Sequence, residues 1–191
     1  MTKLLFITPP FTQLNTPYPA TAYLKGFFNT KNIKSNQCDL GIEVILELFS
    51  KKGLTQLFNH VGKSNEEISL NSERILSLKK HYISTIDDVI CFLQHKNTTL
   101  AHLICEGNYL PEANRFAEVE ELDWAFGTMG LQDKAKHLAT LYLEDISDFI
   151  KETVDAYFGF SRYAERLALS ANSFDEIELE LQKPLSFIDE I

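Results

Sequence analysis

The sequence is poor in the features that mark several large classes of protein. Its 191 residues include only three cysteines, which are odd in number and far apart, so we expect no disulfide framework. No run of about 20 apolar residues occurs, so no membrane-spanning helix is predicted. No basic segment leads into a long apolar one near the start, so we expect no signal peptide. These absences favour a cytoplasmic, reducing setting.

Positive charge is also scarce. The chain has 18 lysines and arginines against 27 aspartates and glutamates, which is a formal net charge of −9. Nucleic-acid binding depends on clustered basic side chains, and so does attraction to an anionic membrane surface. We therefore predict no nucleic-acid partner and no membrane partner, and we interpret most of the carboxylates as solvated helix faces.

The stretch Lys3–Tyr23, KLLFITPPFTQLNTPYPATAY, is the clearest part of the chain. Its apolar run Leu4–Ile7 is continuous rather than alternating, which is typical of a strand covered on both faces. Pro9 and Pro10 lack the N–H groups that a strand needs, so the strand must end there. Pro19 suits the first turn of a helix. The pattern predicts a strand, a rigid loop and a helix, the first unit of a parallel sheet.

A second strand is predicted at Ile33–Asp39, mainly because a helix before it and a helix after it require a return path. In the helix that follows, Lys51 and Lys52 suit the last turn and Gly53 suits the cap beyond it. A short third helix then ends at Gly62.

After Gly62 the pattern is helical almost throughout. Ser84 or Thr85 is predicted to cap a helix, and Glu106–Asn114 to form a loop between helices. Leu131–Val154 carries the longest helical repeat. Further helices are predicted at Arg115–Phe126, at Ser161–Leu169 and from Ser173 to Pro184.

The whole pattern predicts an α/β protein that is predominantly helical. Residues 1–62 form an incomplete Rossmann-like (flavodoxin-like) parallel βα start, and residues 63–191 form a helical subdomain or insertion. Two strands do not make a stable doubly wound sheet. Either further strands escape detection, or the helices supply most of the core, or the chain is an excerpt from a longer protein.

The loop Thr8 to Tyr18 is the first candidate site, because ligands of open α/β sheets bind beyond the carboxyl ends of strands. Phe11 and Tyr18 would supply apolar area there. The alternative is a plain connection with both rings in the core. Asp39, followed by Gly41, ends the second strand and would add a polar wall to the same cleft. The preferred alternative for Asp39 is a helix N-cap.

Four short segments resemble the N-terminal cobalamin-binding module of radical S-adenosylmethionine enzymes. They are Lys3–Pro10, Tyr18–Pro19, Ala22–Leu24 and Asp39–Gly41. Members of that family open with an apolar strand that ends in two prolines, and their second strand ends in aspartate. The resemblance implies that cobalamin is held by a set of residues at the strand ends. These residues are Thr8, Pro9, Pro10, Phe11, Tyr18, Pro19, Asp39 and Gly41.

Other family features are absent from this sequence. The motif Asp-x-His-x-x-Gly does not occur, and Cys38, Cys91 and Cys105 lack the spacing of an iron–sulfur signature. The resemblance therefore implies the front of a larger enzyme that is inactive alone, with no catalytic residue and no metal ligand in this chain. S-adenosylmethionine and a 4Fe-4S cluster would belong to a downstream catalytic domain of the same chain. The alternative is a non-enzymatic helical domain that binds other proteins.

Three further residue sets have weaker functional interpretations. Cys91, His95, His102 and Cys105 would in principle form a zinc site, but buried free cysteines are the preferred interpretation. The carboxylates lack the Glu-x-x-His motif of di-iron bundles, so solvated faces are preferred. They are Glu118, Glu120, Glu121, Asp123, Glu144, Asp145 and Asp148. An aromatic set is interpreted as helical core, with an interface to a larger chain or a homodimer as the alternative. It comprises Trp124, Phe126, Met129, Tyr157, Phe158, Phe160 and Tyr163.

Overall fold

The structure, a computed structural model, describes residues 3–10, 19–62, 67–117, 130–156, 158–160 and 173–191. Within these ranges the chain forms two parallel strands and eight α-helices, which confirms a predominantly helical α/β protein. It divides into two compact units. Unit 1 comprises Met1–Leu46, Gly159–Leu185 and Ile191, and unit 2 comprises Glu47–Phe158 and Ser186–Glu190. The boundary predicted from the sequence lies after residue 62, whereas the first break between these two units lies after Leu46.

The elements follow one another in a simple order. They are β1 (Leu4–Thr8), α1 (Ala20–Thr30), β2 (Ser35–Asp39), α2 (Leu40–Leu48), α3 (Lys51–Val61), α4 (Leu70–Ser77), α5 (Lys79–Leu93), α6 (Leu100–Cys105), a short 3-10 helix (Asn114–Phe116), α7 (Leu131–Thr153) and α8 (Phe174–Leu181). None of the helices in the described ranges has both the length and the apolar character needed to cross a membrane.

Unit 1 contains the predicted βαβ arrangement. β1 and β2 pair in parallel, with Leu4 opposite Ser35, and the Leu4 N–H donates to the Lys34 carbonyl at 3.2 Å. α1 connects the two strands, and its Phe28 ring stacks on Phe6 of β1 with ring centroids 5.6 Å apart. Both predicted strands are thus confirmed, although β2 begins two residues later than the pattern indicated.

Unit 2 is a helical core organised around α7. The apolar repeat predicted for Leu131–Val154 places Tyr142, Ile146 and Phe149 on the buried side of this helix. The Tyr142 ring stacks on Tyr82 of α5 with centroids 5.2 Å apart, and Phe149 packs against Phe58 of α3 at 5.5 Å. Close packing of these rings across three helices contributes to the hydrophobic stabilisation of this unit.

The predicted junction between α2 and α3 is wrong. α2 ends at Leu48, and Ser50 is the N-cap of α3, because its Oγ accepts the Gly53 N–H at 3.0 Å. Lys51 and Lys52 therefore begin a helix instead of ending one, and Gly53 lies buried in its first turn. Serine with extended backbone geometry is a strong helix start, and here it prevails over the glycine signal.

The predicted cap at Ser84 or Thr85 is also wrong, because both residues lie inside α5. Their hydroxyl groups donate to the His81 carbonyl at 2.8 and 2.9 Å. Hydroxyl side chains in a helix can bond back to the preceding turn in this way, so they need not mark its start. The helix predicted at Ser161–Leu169, and most of the one at Arg115–Phe126, lie outside the described residues.

Candidate functional site

The carboxyl ends of β1 and β2 meet at one edge of the two-stranded sheet. Thr8, the last residue of β1, lies directly opposite Asp39, the last residue of β2. Pro9 and Pro10 follow Thr8 at once, and Gly41 lies buried in the first turn of α2. Because α1 connects parallel strands, it runs back across the sheet and begins towards this same edge.

The structure thus groups most of the residues predicted to hold a ligand. Pro19 is the N-cap residue of α1 and provides no capping side chain, and α1 has no acidic residue in its first turn. The first N–H groups of a helix have no partner within it and favour polar or anionic groups. Phe11 and Tyr18, the predicted apolar walls, lie outside the described residues.

Thr8 has an unused hydrogen-bonding group at this edge. Its side chain is 2% exposed, and its Oγ1 has no hydrogen-bond partner among the described residues. A buried hydroxyl without a partner costs about 1–3 kcal/mol, so such groups are rare without a functional or structural reason. Thr8 is therefore the residue at the strand ends that is best placed to bond a bound molecule.

Asp39 has a structural partner. Its Oδ1 accepts the Ile42 N–H at 3.3 Å, which is the geometry of an N-cap for α2. The preferred interpretation from the sequence is thereby confirmed. The capping bond also orients the carboxylate at the strand ends, beside Thr8.

Replacing Asp39 separates the capping role from the charge. Asp39→Ala is expected to lower the free energy of unfolding by about 1 kcal/mol, because the cap of α2 is lost. Asp39→Asn is expected to keep the wild-type value to within about 0.3 kcal/mol, because asparagine caps equally well. Urea denaturation followed by far-UV circular dichroism measures both. Equal losses in the two variants would show that the charge, and not the cap, stabilises this edge.

A second polar group, which sequence reasoning missed, is Asp145 in α7. Its side chain is completely buried. Oδ2 accepts the Ala113 N–H and Oδ1 accepts the Arg115 N–H, both at 3.0 Å. Burial raises the pKa of Asp145 to about 6, although the two N–H donors and the Arg115 guanidinium act in the opposite direction. The interpretation of this carboxylate as part of a solvated face is wrong.

The neighbours of Asp145 explain why a carboxylate is buried there. It binds the end of the predicted loop Glu106–Asn114, and Arg115 is held in addition by Asp148 through Nε at 2.7 Å and Nη2 at 2.9 Å. Asp145 also follows Tyr142 by three residues and precedes Phe149 by four, so it occupies a position on the buried stripe of α7. That spacing is the signal by which the sequence could have shown it.

Other bonds hold the same loop against α4 and α5. The Arg74 Nε donates to the Glu112 carbonyl at 2.8 Å, and the His81 Nε2 lies 2.9 Å from the Tyr109 carbonyl. The Tyr109 hydroxyl donates to Asp88 at 3.0 Å. Most of these bonds end on main-chain atoms of the loop, so we interpret the cluster as a structural anchor and not as a catalytic centre.

The side chains of the zinc site, the less favoured of the two interpretations from the sequence, do not converge. Among the residues that the structure describes, no three His, Cys, Asp or Glu side chains are grouped so that they could hold a metal ion. Cys105 instead donates through Sγ to the Leu131 carbonyl at 3.5 Å. In the aromatic set, Phe158 is buried and packs near Phe49 with ring centroids 6.4 Å apart, as predicted for core. Trp124, Phe126, Met129, Tyr157 and Tyr163 lie outside the described residues.

Comparison with known proteins adds no family assignment. No family model, no curated protein and no solved structure matches this chain. Any functional proposal therefore depends on the strand-end geometry and on the resemblance of the short segments around it.

Proposed function

We propose that the strand-end edge of unit 1 forms one wall of a cobalamin cleft. The chain would be the N-terminal part of a cobalamin-binding radical S-adenosylmethionine enzyme, with a Rossmann-like sheet that begins at β1 and β2. The observation that carries the proposal is the position of Thr8 opposite Asp39, with two prolines directly after Thr8. Two segments that resemble the family separately are thus adjacent in space.

The residues at this edge fit a large, flat molecule with amide groups around its rim. The Thr8 hydroxyl is buried and free to bond such a group, and proline rings give a rigid apolar wall without competing donors. The first N–H groups of α1 favour an anionic part of the same molecule. When bound, cobalamin would supply a cobalt centre for transfer of alkyl groups or radical rearrangement. This chain would hold and orient it, while S-adenosylmethionine and a 4Fe-4S cluster belong to a downstream domain.

The apolar surface of unit 1 supports docking on a larger body. Among its described residues no large apolar side chain is buried, and Tyr23 and Phe27 of α1 are 77% and 55% exposed. Exposed apolar groups in such concentration mark interaction surfaces. A downstream catalytic domain of the same chain is the partner that the proposal requires.

A non-enzymatic helical interaction domain is the second candidate. The observation that favours it is the core of unit 2, where side chains such as Tyr82, Ile86 and Phe149 are fully buried among helices of that unit. A core of this kind needs no cofactor. The two candidates differ in whether Thr8 and its neighbours bind cobalamin.

Replacing Thr8 by valine tests the proposal with two effects of opposite sign. Removing a buried hydroxyl that has no partner is expected to raise the free energy of unfolding by about 1 kcal/mol. The same change is expected to weaken retention of hydroxocobalamin by about 5- to 10-fold, because the buried, unpaired side-chain donor of Thr8 at the strand ends is lost. Urea denaturation measures the first effect and equilibrium dialysis the second.

Thr85→Val is the matched control. Thr85 is also buried, but its Oγ1 donates to the His81 carbonyl and lies 3.1 Å from the Tyr142 hydroxyl. Its loss is expected to lower the free energy of unfolding by about 1 kcal/mol and to leave cobalamin retention unchanged. Equal retention of cobalamin by the wild type and Thr8→Val would contradict the proposal that Thr8 lines a cobalamin cleft. No saturable retention by any variant would favour the helical interaction domain.

A further inference from the structure

The first 38 residues of this acidic chain contain no carboxylate side chain. They include four lysines, Lys3, Lys25, Lys31 and Lys34, and the first acidic residue of the sequence is Asp39. The whole chain has a formal net charge of −9, so the opening part, which includes α1, is a local region of positive charge. Such a region attracts anionic groups, whether they belong to a ligand or to another protein surface.

α1 also presents an apolar face to solvent. Its Tyr23, Leu24 and Phe27 side chains are all exposed. Tyr23 and Phe27 are four residues apart and lie on the same side of the helix, and Lys31 continues this row by one more turn. The Lys31 Nζ lies 5.7 Å from the centroid of the Phe27 ring. The exposed side of α1 is therefore an apolar stripe with a cation at its end.

α8 combines the same kind of apolar surface with the opposite charge. Its sequence, Phe-Asp-Glu-Ile-Glu-Leu-Glu-Leu, has four carboxylates and no basic residue. Phe174, Ile177 and Leu181 have the i, i+3, i+7 spacing of one helix face, and all three are exposed. Asp175 and Glu178 are exposed as well. This spacing is typical of a helix that lays its apolar face on another protein surface.

α8 requires a packing partner to be stable. It has eight residues, and a helix of that length is marginal in water by itself. Within one copy the apolar faces of α1 and α8 do not cover each other, since Tyr23 is 77% exposed and Phe174 is 74% exposed. The α1 face of a second copy offers both the exposed aromatic groups and the positive charge that complement α8.

We propose that α8 of one copy packs on α1 of a second copy, and that a two-fold axis repeats the contact. In such a dimer each contact occurs twice, so both helices of both copies are covered. Apolar side chains of the two helices form the centre of each contact. Lys31 and Lys34 pair with the carboxylates of Asp175 and Glu178 at its rim.

The dimer contact goes beyond the proposed function and forms without cobalamin. None of its residues is one of those proposed to hold the cofactor. It occupies the α1 part of the apolar surface of unit 1. Leu5 and Ile7, which are exposed on the sheet face opposite α1, remain for a downstream domain.

Charge reversal tests the pairing in the full chain. One variant combines Lys31→Glu with Lys34→Glu, and a second combines Asp175→Lys with Glu178→Lys. Each variant places like charges across both contacts, so we expect it to weaken dimerisation at least about 10-fold. All four changes together exchange the two charges and are expected to restore the dissociation constant to within about 3-fold of the wild-type value.

Sedimentation equilibrium at a series of concentrations measures these dissociation constants, and far-UV circular dichroism checks that each variant is folded. A wild-type chain that stays monomeric at every concentration would overturn the inference. So would a dimer that neither variant weakens, or a weakened dimer that the four changes together do not restore.

Replacement of single aromatic residues tests the apolar part of the contact. Tyr23→Ser and Phe174→Ser are each expected to weaken dimerisation by about 10-fold or more, because each loss occurs twice in a two-fold dimer. Leu70→Ser is the matched control, since Leu70 is an apolar residue of unit 2 that is 84% exposed. It is expected to change the dissociation constant less than about 2-fold. Equal effects of all three replacements would contradict the assigned surface.

Photocrosslinking distinguishes a second copy from a contact within one chain. A benzophenone amino acid replaces Phe174 in an isotope-labelled chain, which is mixed with unlabelled wild-type chain before irradiation. We expect mass spectrometry to identify crosslinks between the labelled α8 peptide and an unlabelled α1 peptide. Crosslinks only within the labelled chain, or only to parts of the second copy other than α1, would overturn the inference.

Discussion

Asp145→Ala is expected to lower the free energy of unfolding by about 4 kcal/mol at pH 7. The side chain is completely buried and accepts the Ala113 and Arg115 N–H groups at 3.0 Å each. A hydrogen bond to a charged group contributes about 1.5–3 kcal/mol, and the buried Ala113 N–H and the partly buried Arg115 N–H would both lose their acceptor. Urea denaturation measures the loss. The exposed carboxylate of Asp133 provides a control, since Asp133→Ala should cost less than about 1 kcal/mol.

The Asp145 carboxyl also predicts a pH dependence of stability. Burial raises its pKa to about 6 from an ordinary value of 3.8, so the folded chain binds this proton more tightly than the unfolded chain. The contribution of Asp145 to the free energy of unfolding is therefore fully present below about pH 4. It is lost as the pH rises through about 6, and the total loss is up to about 3 kcal/mol. Glu152 acts in the opposite direction, because bonds from Ser72 and Ser69 lower its pKa.

Comparison of wild type with Asp145→Asn isolates this contribution. Asparagine does not titrate. The unfolding free energy of the wild type, measured relative to that of Asp145→Asn, should therefore fall from pH 4 to pH 7. Denaturation curves at intervals of half a pH unit measure it. A constant difference across this range would contradict a buried carboxyl with a raised pKa.

Gly53→Ala is expected to lower the free energy of unfolding by about 3 kcal/mol. A Cβ at this position would collide with the carbonyl oxygens of Glu47 and Leu48 and would lie 2.8 Å from the Leu48 carbonyl carbon. These are main-chain atoms at the end of α2, so no side chain can rotate away. The close approach of α2 and α3 therefore depends on the absence of a side chain at Gly53. Urea denaturation of Gly53→Ala measures the expected loss in the free energy of unfolding.

Gly26→Ala is the matched control. Gly26 also lies in a helix, but a Cβ there would meet no atom within 4 Å. Alanine is expected to stabilise α1 by up to about 1 kcal/mol, because glycine loses more conformational freedom in a helix. If Gly53→Ala proved as well tolerated as Gly26→Ala, the described packing of α2 against the start of α3 would be wrong.

Much of the fold followed from local patterns. The apolar run Leu4–Ile7 before two prolines predicted β1, and a long 3.6-residue repeat predicted α7. Both are properties of a few neighbouring residues, which is why they are readable without a partner. The junction of α2 and α3 was predicted wrongly because Ser50 signals a helix start and Gly53 signals a helix end, and only packing decides between the two.

The candidate site was predictable only in part. The prolines and Asp39 could be identified as strand-end residues, but the register that sets Thr8 opposite Asp39 depends on pairing across the chain. Likewise, nothing local shows that the Thr8 hydroxyl is buried without a partner, because burial depends on what covers it.

By itself the sequence determined a predominantly helical α/β chain, a first strand that prolines end, and an acidic surface. The tertiary structure alone decided that Asp145 is buried, that Gly53 lies against the end of α2, and that Thr8 lies opposite Asp39. The physical reason is range: helix and strand patterns arise from neighbours in the chain, whereas burial and register arise from groups that are distant in sequence.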